Sequence, residues 1–536
     1  MDRGSRVEAN KDFRVGERYI ELTPEEVAVT QTRTFQRLNF IKQLGLVYLV
    51  YPNATHTRGS HSLNALYQAQ KILDALLKSG EDPAFIAANR PAIRMAALLH
   101  DIGHIPFSHV LEDEHQVIEK HDGPARMQPI LALLKGEIAD TVEDRHGRQT
   151  LSLIDAAAPI LHGIHAGEAE RNWKSDIIGN TICADLLAYI EEDARWSGIE
   201  RQSGHYSIYK YFVLAGDKKD QLCIRLTKGG LRTDVVSAIM AILEARYDLT
   251  ERVLFHHAKC VASSMLARAV RLASATDVAH ILEQHMGDEA FLDYVQRCAI
   301  ALPCEGALRL LENLQCRRLY KRIFKLNAAA RREEWDNSHP QQPFTDMWRD
   351  GPRVEGLLAG IEQRYGLPAG VLVLWCPPAK AGMKAARVHV IWNAGAGPQL
   401  PMVLRDDRIK ERFPSVWRRV DSQEQQYQDL WTFWVAIDEG FMDKAPEVVS
   451  ALEEGLGVRN DSLFRDTHLY ERYPEYKLAE ERLKETTDGA RHILDEVNER
   501  RRTSAARGGH QPTIAQIIQE VVGGEARQLT MGETPE

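Results

Sequence analysis

Apolar residues recur along the first two hundred positions with the three-to-four-residue rhythm of buried helix faces. Thr23-Pro24-Glu25-Glu26 reads as a helix start, with Thr at the N-cap, Pro at the first helical position and Glu completing a capping box. Phe35, Leu38 and Ile41 carry that spacing on, which predicts one helix ending near Gly45, and Tyr51-Pro52-Asn53 marks a turn. From Ser62 a second helix is predicted through Leu63, Leu66, Ile72, Leu73, Leu76 and Leu77, a single apolar stripe. Pro91 opens a third, whose interior Met95-Ala96-Ala97-Leu98-Leu99 is apolar all round and therefore buried. It runs into His100-Asp101 and breaks at Gly103 and Pro106, and a further helix is predicted from Ile178 to Trp196.

The rhythm then changes. Tyr211–Leu214 and Leu222–Leu226, either side of Gly216-Asp217-Lys218-Lys219-Asp220, predict a β-hairpin. Helical spacing resumes from Asp234 to Ala329, and the polar stretch Arg331–Arg353 marks a lobe boundary. Val371–Trp375 and Val388–Trp392 read as two strands of a small mixed lobe. The predicted organisation is a flexible N-terminus over 1–19, a helical core with extension over 20–335, a mixed α/β lobe over 336–477, and a charged helix and flexible tail over 478–536. The fold class is mainly α, a helical core carrying one small β-hairpin and a mixed α/β C-terminal lobe.

Composition narrows the setting more than the chemistry. The 536 residues carry 67 Lys+Arg against 76 Asp+Glu, a formal net charge of −9, so a nucleic-acid partner would need a local basic patch. Arg500-Arg501-Arg502 is read as a solvated run, and nucleic acid is not the favoured partner. No apolar run approaches the roughly 18 residues of a membrane helix, and the first residues lack the apolar core of a secretion signal. Seven cysteines, with no Cys-x-x-Cys pair, argue against a zinc ribbon and a disulfide framework. A cytoplasmic, soluble protein without membrane partners is expected.

Seven of the 20 histidines fall between His56 and His121. His100-Asp101 ends a buried helix, and burying such a pair uncompensated costs several kcal/mol, on the order of an unpaired buried charge. A divalent cation would offset that cost, and imidazole with carboxylate suits Zn, Fe, Mn or Ni better than Ca. Arg58-Gly59-Ser60-His61 supplies another imidazole and a guanidinium upstream. Asp185, Tyr189 and Asp193 follow at helical i, i+4, i+8 spacing and share one face.

The order His…His-Asp…Asp resembles the signature of the HD phosphohydrolases. The surrounding text sharpens the resemblance: Phe35-Gln36-Arg37-Leu38, Ile41-Lys42-Gln43-Leu44-Gly45, Ala54-Thr55-His56-Thr57-Arg58, Leu99-His100-Asp101-Ile102-Gly103-His104, Pro106-Phe107-Ser108-His109 and Cys183-Ala184-Asp185-Leu186-Leu187 appear in order. Together they are similar to the deoxynucleoside triphosphate triphosphohydrolase branch, which includes the vertebrate SAM-and-HD-domain enzymes, strongly over about 20–198 and more faintly to about 261. The resemblance implies a divalent metal (Mg, Mn, Fe, Zn or Ni) held by His61, His100, Asp101 and Asp185, with Arg58 at the attacked phosphate. It implies that His121 protonates the leaving oxygen and that Asp122 orients it. His104 and His109 would lie beside the phosphates, Gln43 and Leu44 at the sugar and base edge, Tyr189 and Asp193 at the 3′-hydroxyl, with Arg246 and His256 as further substrate contacts. His56 and His115 are read as supporting or structural. A homo-oligomer is also implied.

Three places depart from that pattern. The family often reads Arg-Phe-Glu-His where this chain has Arg58-Gly59-Ser60-His61; a phosphate-touching lysine of the vertebrate enzymes is here Leu186; a tyrosine near the nucleoside is Leu254. The implied reaction is hydrolysis of dNTPs to deoxynucleoside and triphosphate. Two other readings stay open: an HD-type phosphatase acting on a monophosphate, an NTP or a modified nucleotide, and a nucleotide-sensing or nucleic-acid-binding regulatory protein.

Overall fold

The computed structural model describes residues 11–461 apart from 108, 122, 142–144, 166–170, 200–203, 217, 228–229, 329–343, 345–349, 378–387 and 393–400. The predicted tail over 478–536, with Arg500–Arg502, lies outside the described residues. After Asp438 the chain divides into two compact units. The second contributes helix Ala445–Leu456, which ends on Gly457 in the left-handed conformation (φ +67°) suited to a helix stop.

The first unit is mainly helical. A hairpin of β1 (Lys11–Val15) and β2 (Arg18–Leu22) leads into α1 (Pro24–Thr30). The capping box forms as read, Thr23 accepting from the Glu26 N–H while Glu26 reaches back to the Thr23 N–H. The helix does not continue to Gly45. Thr32 starts a new cap, accepting from the Phe35 N–H, so the chain breaks into α2 (Arg33–Gln36) and a tight turn over Arg37–Phe40.

Helix α3 (Arg58–Lys78) begins four residues before its predicted start because Thr57 caps it, accepting from the Ser60 N–H. Its stripe Leu66, Ile72, Leu73 and Leu76 is fully buried, each side chain contributing about 2 kcal/mol of hydrophobic stabilisation. It packs between α4 (Pro83–Leu99) and α8 (Ala184–Trp196). Helix α4 opens at Pro83 behind the Asp82 cap, and Pro91 sits inside it. An interior proline removes one helical hydrogen bond; here the buried run Ile93 to Leu99 holds the helix across it. The helix predicted from Ile178 to Trp196 starts later than read: α7 (Trp173–Ile178) ends just before Gly179, and α8 begins only at Ala184 and runs to Trp196 as expected. Helices α5 (Pro124–Thr141) and α6 (Arg145–His165) complete this layer.

The predicted hairpin is present as antiparallel β3 (Phe212–Ala215) and β4 (Gln221–Arg225). Helices α9 (Thr233–Leu249), α10 (His257–Leu272), α11 (Val278–Glu283), α12 (Asp288–Ala301) and α13 (Glu305–Gln315) follow. Lys321–Asn327, read as helical, is instead strand β5: its Ile323, Phe324 and Leu326 bury against a partner strand, and pairing overrides local spacing. After α14 (Gly351–Arg364), both predicted strands occur, as β6 (Leu372–Trp375) and β7 (His389–Ile391). They join different sheets. β7 runs parallel to β4 in a sheet ordered β3-β4-β7-β8, with β8 at Met402–Val403. β6 and β5 flank β9 (Thr432–Ile437) in the other. Helices α15 (Asp407–Arg412) and α16 (Pro414–Asp429) lie between β8 and β9. Among the described residues no helix is long and apolar enough to cross a membrane.

Candidate metal centre and nucleotide cavity

Three helix ends converge on one cavity of about 780 Å3. Arg58 and His61 project from the first turn of α3, one turn apart and both buried. His100 and Asp101 follow the last turn of α4, and Asp185 is the second residue of α8. His61 Nε2 lies 3.1 Å from Asp185 Oδ1, 3.3 Å from His100 Nε2 and 3.7 Å from Asp101 Oδ2. His100 Nε2 lies 3.4 Å from Asp101 Oδ1 and 3.7 Å from Asp185 Oδ1.

The donor set fits a divalent cation. His100 Nδ1 donates to the Ala97 carbonyl at 2.8 Å, and a carbonyl only accepts, so the Nε2 lone pair faces the cluster. The two imidazole nitrogens and the Asp185 carboxylate lie within 4.8 Å of one another, the mixed set that first-row divalent ions take, while Asp101 stands at their edge and groups with His104 and His121. Burial alone would lower the His100 imidazole, but the Asp101 and Asp185 carboxylates raise it to about 9. Burial pushes Asp185 the other way, yet His100 and His61 hold it far below the usual carboxylate range. This electrostatic demand for positive charge is what a bound cation would meet.

Arg58 Nη1 donates to Asp101 Oδ2 at 2.7 Å, fixing the guanidinium at the edge of the cluster. His104 Nε2 donates to Asp101 Oδ1 at 3.2 Å, and its ring packs on His121 with centroids 3.4 Å apart. Burial, with Arg58 and His121 beside it, depresses His104 well below the ordinary imidazole value, so it is neutral. Arg37 pins this loop, donating to the Ile102 and His104 carbonyls, which gives the Phe35-Gln36-Arg37-Leu38 motif its structural purpose. Gly103 lets the loop approach, since a Cβ there would stand 2.7 Å from the His121 carbonyl oxygen.

His121 is bound at Nδ1 by Glu112 Oε2 at 2.7 Å, and the same oxygen accepts the His121 backbone N–H at 3.1 Å. Arg126 holds the other Glu112 oxygen. Neither Glu112 nor Arg126 was among the sequence candidates, and no spacing rule links position 112 to 121. Asp122 lies outside the described residues. His109 stands at the rim, half-exposed, paired with Asp113 at 2.9 Å.

Gln43, Leu44, Tyr189, Asp193 and Arg246 line the cavity, as does Leu186. Asp193 accepts from His56 Nε2 at 2.8 Å, which assigns His56 its supporting place. Burial pushes the Tyr189 hydroxyl up, keeping it a neutral donor. His256 is not brought to the wall. The chain turns there into α10, so Leu254 and Phe255 line the cavity while the His256 ring meets Tyr51 and His257. Further lining groups with no clear signal in the sequence are Lys42, Lys120, Lys259 and Trp375. At position 59 a Cβ would sit 2.2 Å from Asn39 Oδ1, so the glycine that departs from the family pattern fits a locally crowded contact.

Residues 58–170 match the family described as HD domain. With that match, the helical fold and the His/Asp cluster resemble those of the HD-domain phosphohydrolases. The resemblance extends to the SAMHD1 branch. It is 40% identical to the human deoxynucleoside triphosphate triphosphohydrolase SAMHD1 over 94 residues, 18% of this chain and 15% of that protein. It is 28% identical over 309 residues to an uncharacterized protein of Methanocaldococcus jannaschii, covering 57% of each. A crystal structure of a phosphohydrolase from Bacteroides thetaiotaomicron superposes with a TM-score of 0.53 at 20% identity, covering 80% of this chain and 100% of that one, and shows the shared fold. The chain spans about half the length of the uncharacterized relatives it matches.

Proposed function

We propose that the protein hydrolyses deoxynucleoside triphosphates to deoxynucleoside and triphosphate, with a divalent metal held by His61, His100, Asp101 and Asp185. What supports this reading is the convergence, in one cavity, of that cluster and Arg58 with a wall carrying Gln43, Tyr189, Asp193 and Arg246. When bound, the metal supplies a water of lowered pKa and polarises a phosphoryl oxygen. Arg58, already oriented by Asp101, offsets the charge that develops on the equatorial oxygens. His121 delivers the proton to the leaving 5′-oxygen. With Glu112 holding Nδ1, that proton comes from Nε2, and Glu112 takes an orienting part beside the one assigned to Asp122. His104, His109 and Arg246 face the phosphates; Gln43, Leu44, Tyr189 and Asp193 receive the sugar and base. His256 acts at most through its neighbours. On the same reading the protein is a cytoplasmic homo-oligomer.

The test incubates the purified chain with each dNTP and NTP in Mg2+ or Mn2+ and separates the products by chromatography. Deoxynucleoside with intact triphosphate is expected. Stepwise release of single phosphates, or turnover of a monophosphate instead, would replace this reading with the HD-phosphatase one. Nucleotide retention without product would point to a sensor.

A further inference from the structure

Helix α12 lies beyond residues 58–170 and holds none of the groups that sequence reasoning placed at the site. Its first residue, Asp288, is nonetheless completely buried, at 0% exposure. Its two carboxylate oxygens serve different loops. Oδ2 accepts the Lys42 backbone N–H at 3.0 Å and the Lys42 ammonium at 3.4 Å. Oδ1 accepts the Phe107 backbone N–H at 3.3 Å.

Both loops end in the cavity wall. Lys42 directly precedes Gln43 and Leu44, and Phe107 lies between His104 and His109. The surroundings key α12 to the same two places. Phe107 holds φ at +54°, a left-handed conformation that a bulky residue keeps only under external constraint. Its ring leans on Phe291, one turn along α12, at 6.3 Å. Gly287 abuts the first loop so closely that a Cβ would stand 2.4 Å from Phe40 Cβ. A carboxylate needed only to begin a helix can stay in water; burial raises this one to about 6, against the opposing pull of Lys42.

We propose that Asp288 is a positioning residue, a clasp that fixes the loop bearing Gln43 and Leu44 relative to the loop bearing His104 and His109. It thereby sets the spacing between the nucleoside end and the phosphate end of the cavity. The naming of those two ends rests on the proposed function; the clasp itself does not.

The test is hydrogen exchange on the full chain, comparing the parent with Asp288→Asn and with Glu289→Gln, the exposed neighbour that also pairs with Lys42. An asparagine offers one acceptor where the carboxylate offers two, so it cannot hold both loops. Asp288→Asn should speed exchange about tenfold in peptides covering 40–46 and 102–107 together, leaving α3, α4 and bound Mn2+ unchanged, while Glu289→Gln moves neither. Where the parent hydrolyses nucleotide, KM should rise several-fold in Asp288→Asn with kcat much less affected. Unchanged exchange, a change in one loop only, or loosening spread through α3 and α4 overturns the clasp. Should Asp288→Asn fail to fold, the parent at pH 5.0 and 7.5 gives a second comparison, because opening of the clasp exposes Asp288 and relieves its buried charge at the higher pH. The groups facing Asp288 are Lys42 and Tyr48 from the first loop and Glu289 from α12, while the second loop presents the Phe107 N–H. Segment 40–46 contains no histidine, so protection there that is greater at pH 5.0 than at 7.5, once intrinsic exchange rates are divided out, reports opening that exposes Asp288, and equal protection at the two pH values overturns the proposal. A parent without nucleotide hydrolysis would defeat the proposed function and leave the exchange result to decide the clasp.

Discussion

His61 Nδ1 and Glu192 Oε2 face one another across 3.9 Å in the interior, and neither atom has a hydrogen-bond partner among the described residues. The gap exceeds a hydrogen bond, yet it is the placement that lets a carboxylate set the tautomer of a metal-binding imidazole. With its proton on Nδ1 toward Glu192, the ring turns its Nε2 lone pair to Asp185 and His100. His100 reaches the same state through the Ala97 carbonyl. The two imidazoles of the cluster are thus oriented from behind by different means.

Glu192→Gln keeps the shape and removes the charge. Metal affinity should fall by roughly 10–100-fold, the usual consequence of losing such a partner. Titration of the metal-free protein with Mn2+, followed by calorimetry, checks this; unchanged affinity would detach Glu192 from the centre.

Replacing His100 and Asp101 together by alanine removes two of the four proposed ligands. Bound metal and activity should disappear together, read by elemental analysis and product chromatography on the same preparation. Full metal occupancy in the double variant would sink the ligand assignment.

Leu186 lines the cavity directly after Asp185, at the place where the family resemblance implies a phosphate-touching lysine. A net gain of about 1 kcal/mol is a reasonable expectation for an ammonium there once desolvation and ordering are subtracted from its attraction to phosphate. Leu186→Lys should therefore lower KM for a dNTP roughly fivefold. If dNTPs bind no better while the parent turns over a monophosphate efficiently, the triphosphate assignment fails.

Local signals with a direct stereochemical meaning were legible. The Thr23–Glu26 capping box and the 212–225 hairpin are present as read. Elements were misjudged where the deciding partner is distant: nothing around Ile323 and Phe324 announces the strand that pairs with β9, and Pro91 hides a helix begun by Asp82. The same holds at the site. Helical spacing put Asp185, Tyr189 and Asp193 on one face, but their meeting with His61 and His100 came only through family resemblance. Glu112 and Asp288 were missed because each works through a tertiary contact that leaves no periodic trace.

Asp288 also makes a prediction about stability that needs no substrate. Its carboxyl is raised from 3.8 to about 6 in the folded protein. A folded-state value above the unfolded one means the contribution to stability is fully present below about pH 4 and is lost as pH rises through 6. A shift of about two units corresponds to about 3 kcal/mol as an upper figure. Asp288→Asn does not titrate and escapes this loss. It starts from a lower baseline, because removing one acceptor of a buried pair costs about 1–3 kcal/mol. The stability of Asp288→Asn relative to the parent should therefore climb between pH 4 and 7 and level off above it. Urea midpoints for both proteins at half-unit pH steps measure the difference directly, cancelling the titrations the two share. Parallel curves across that range would mean that the carboxyl titrates normally, and that the buried charge at the start of α12 carries no energetic cost.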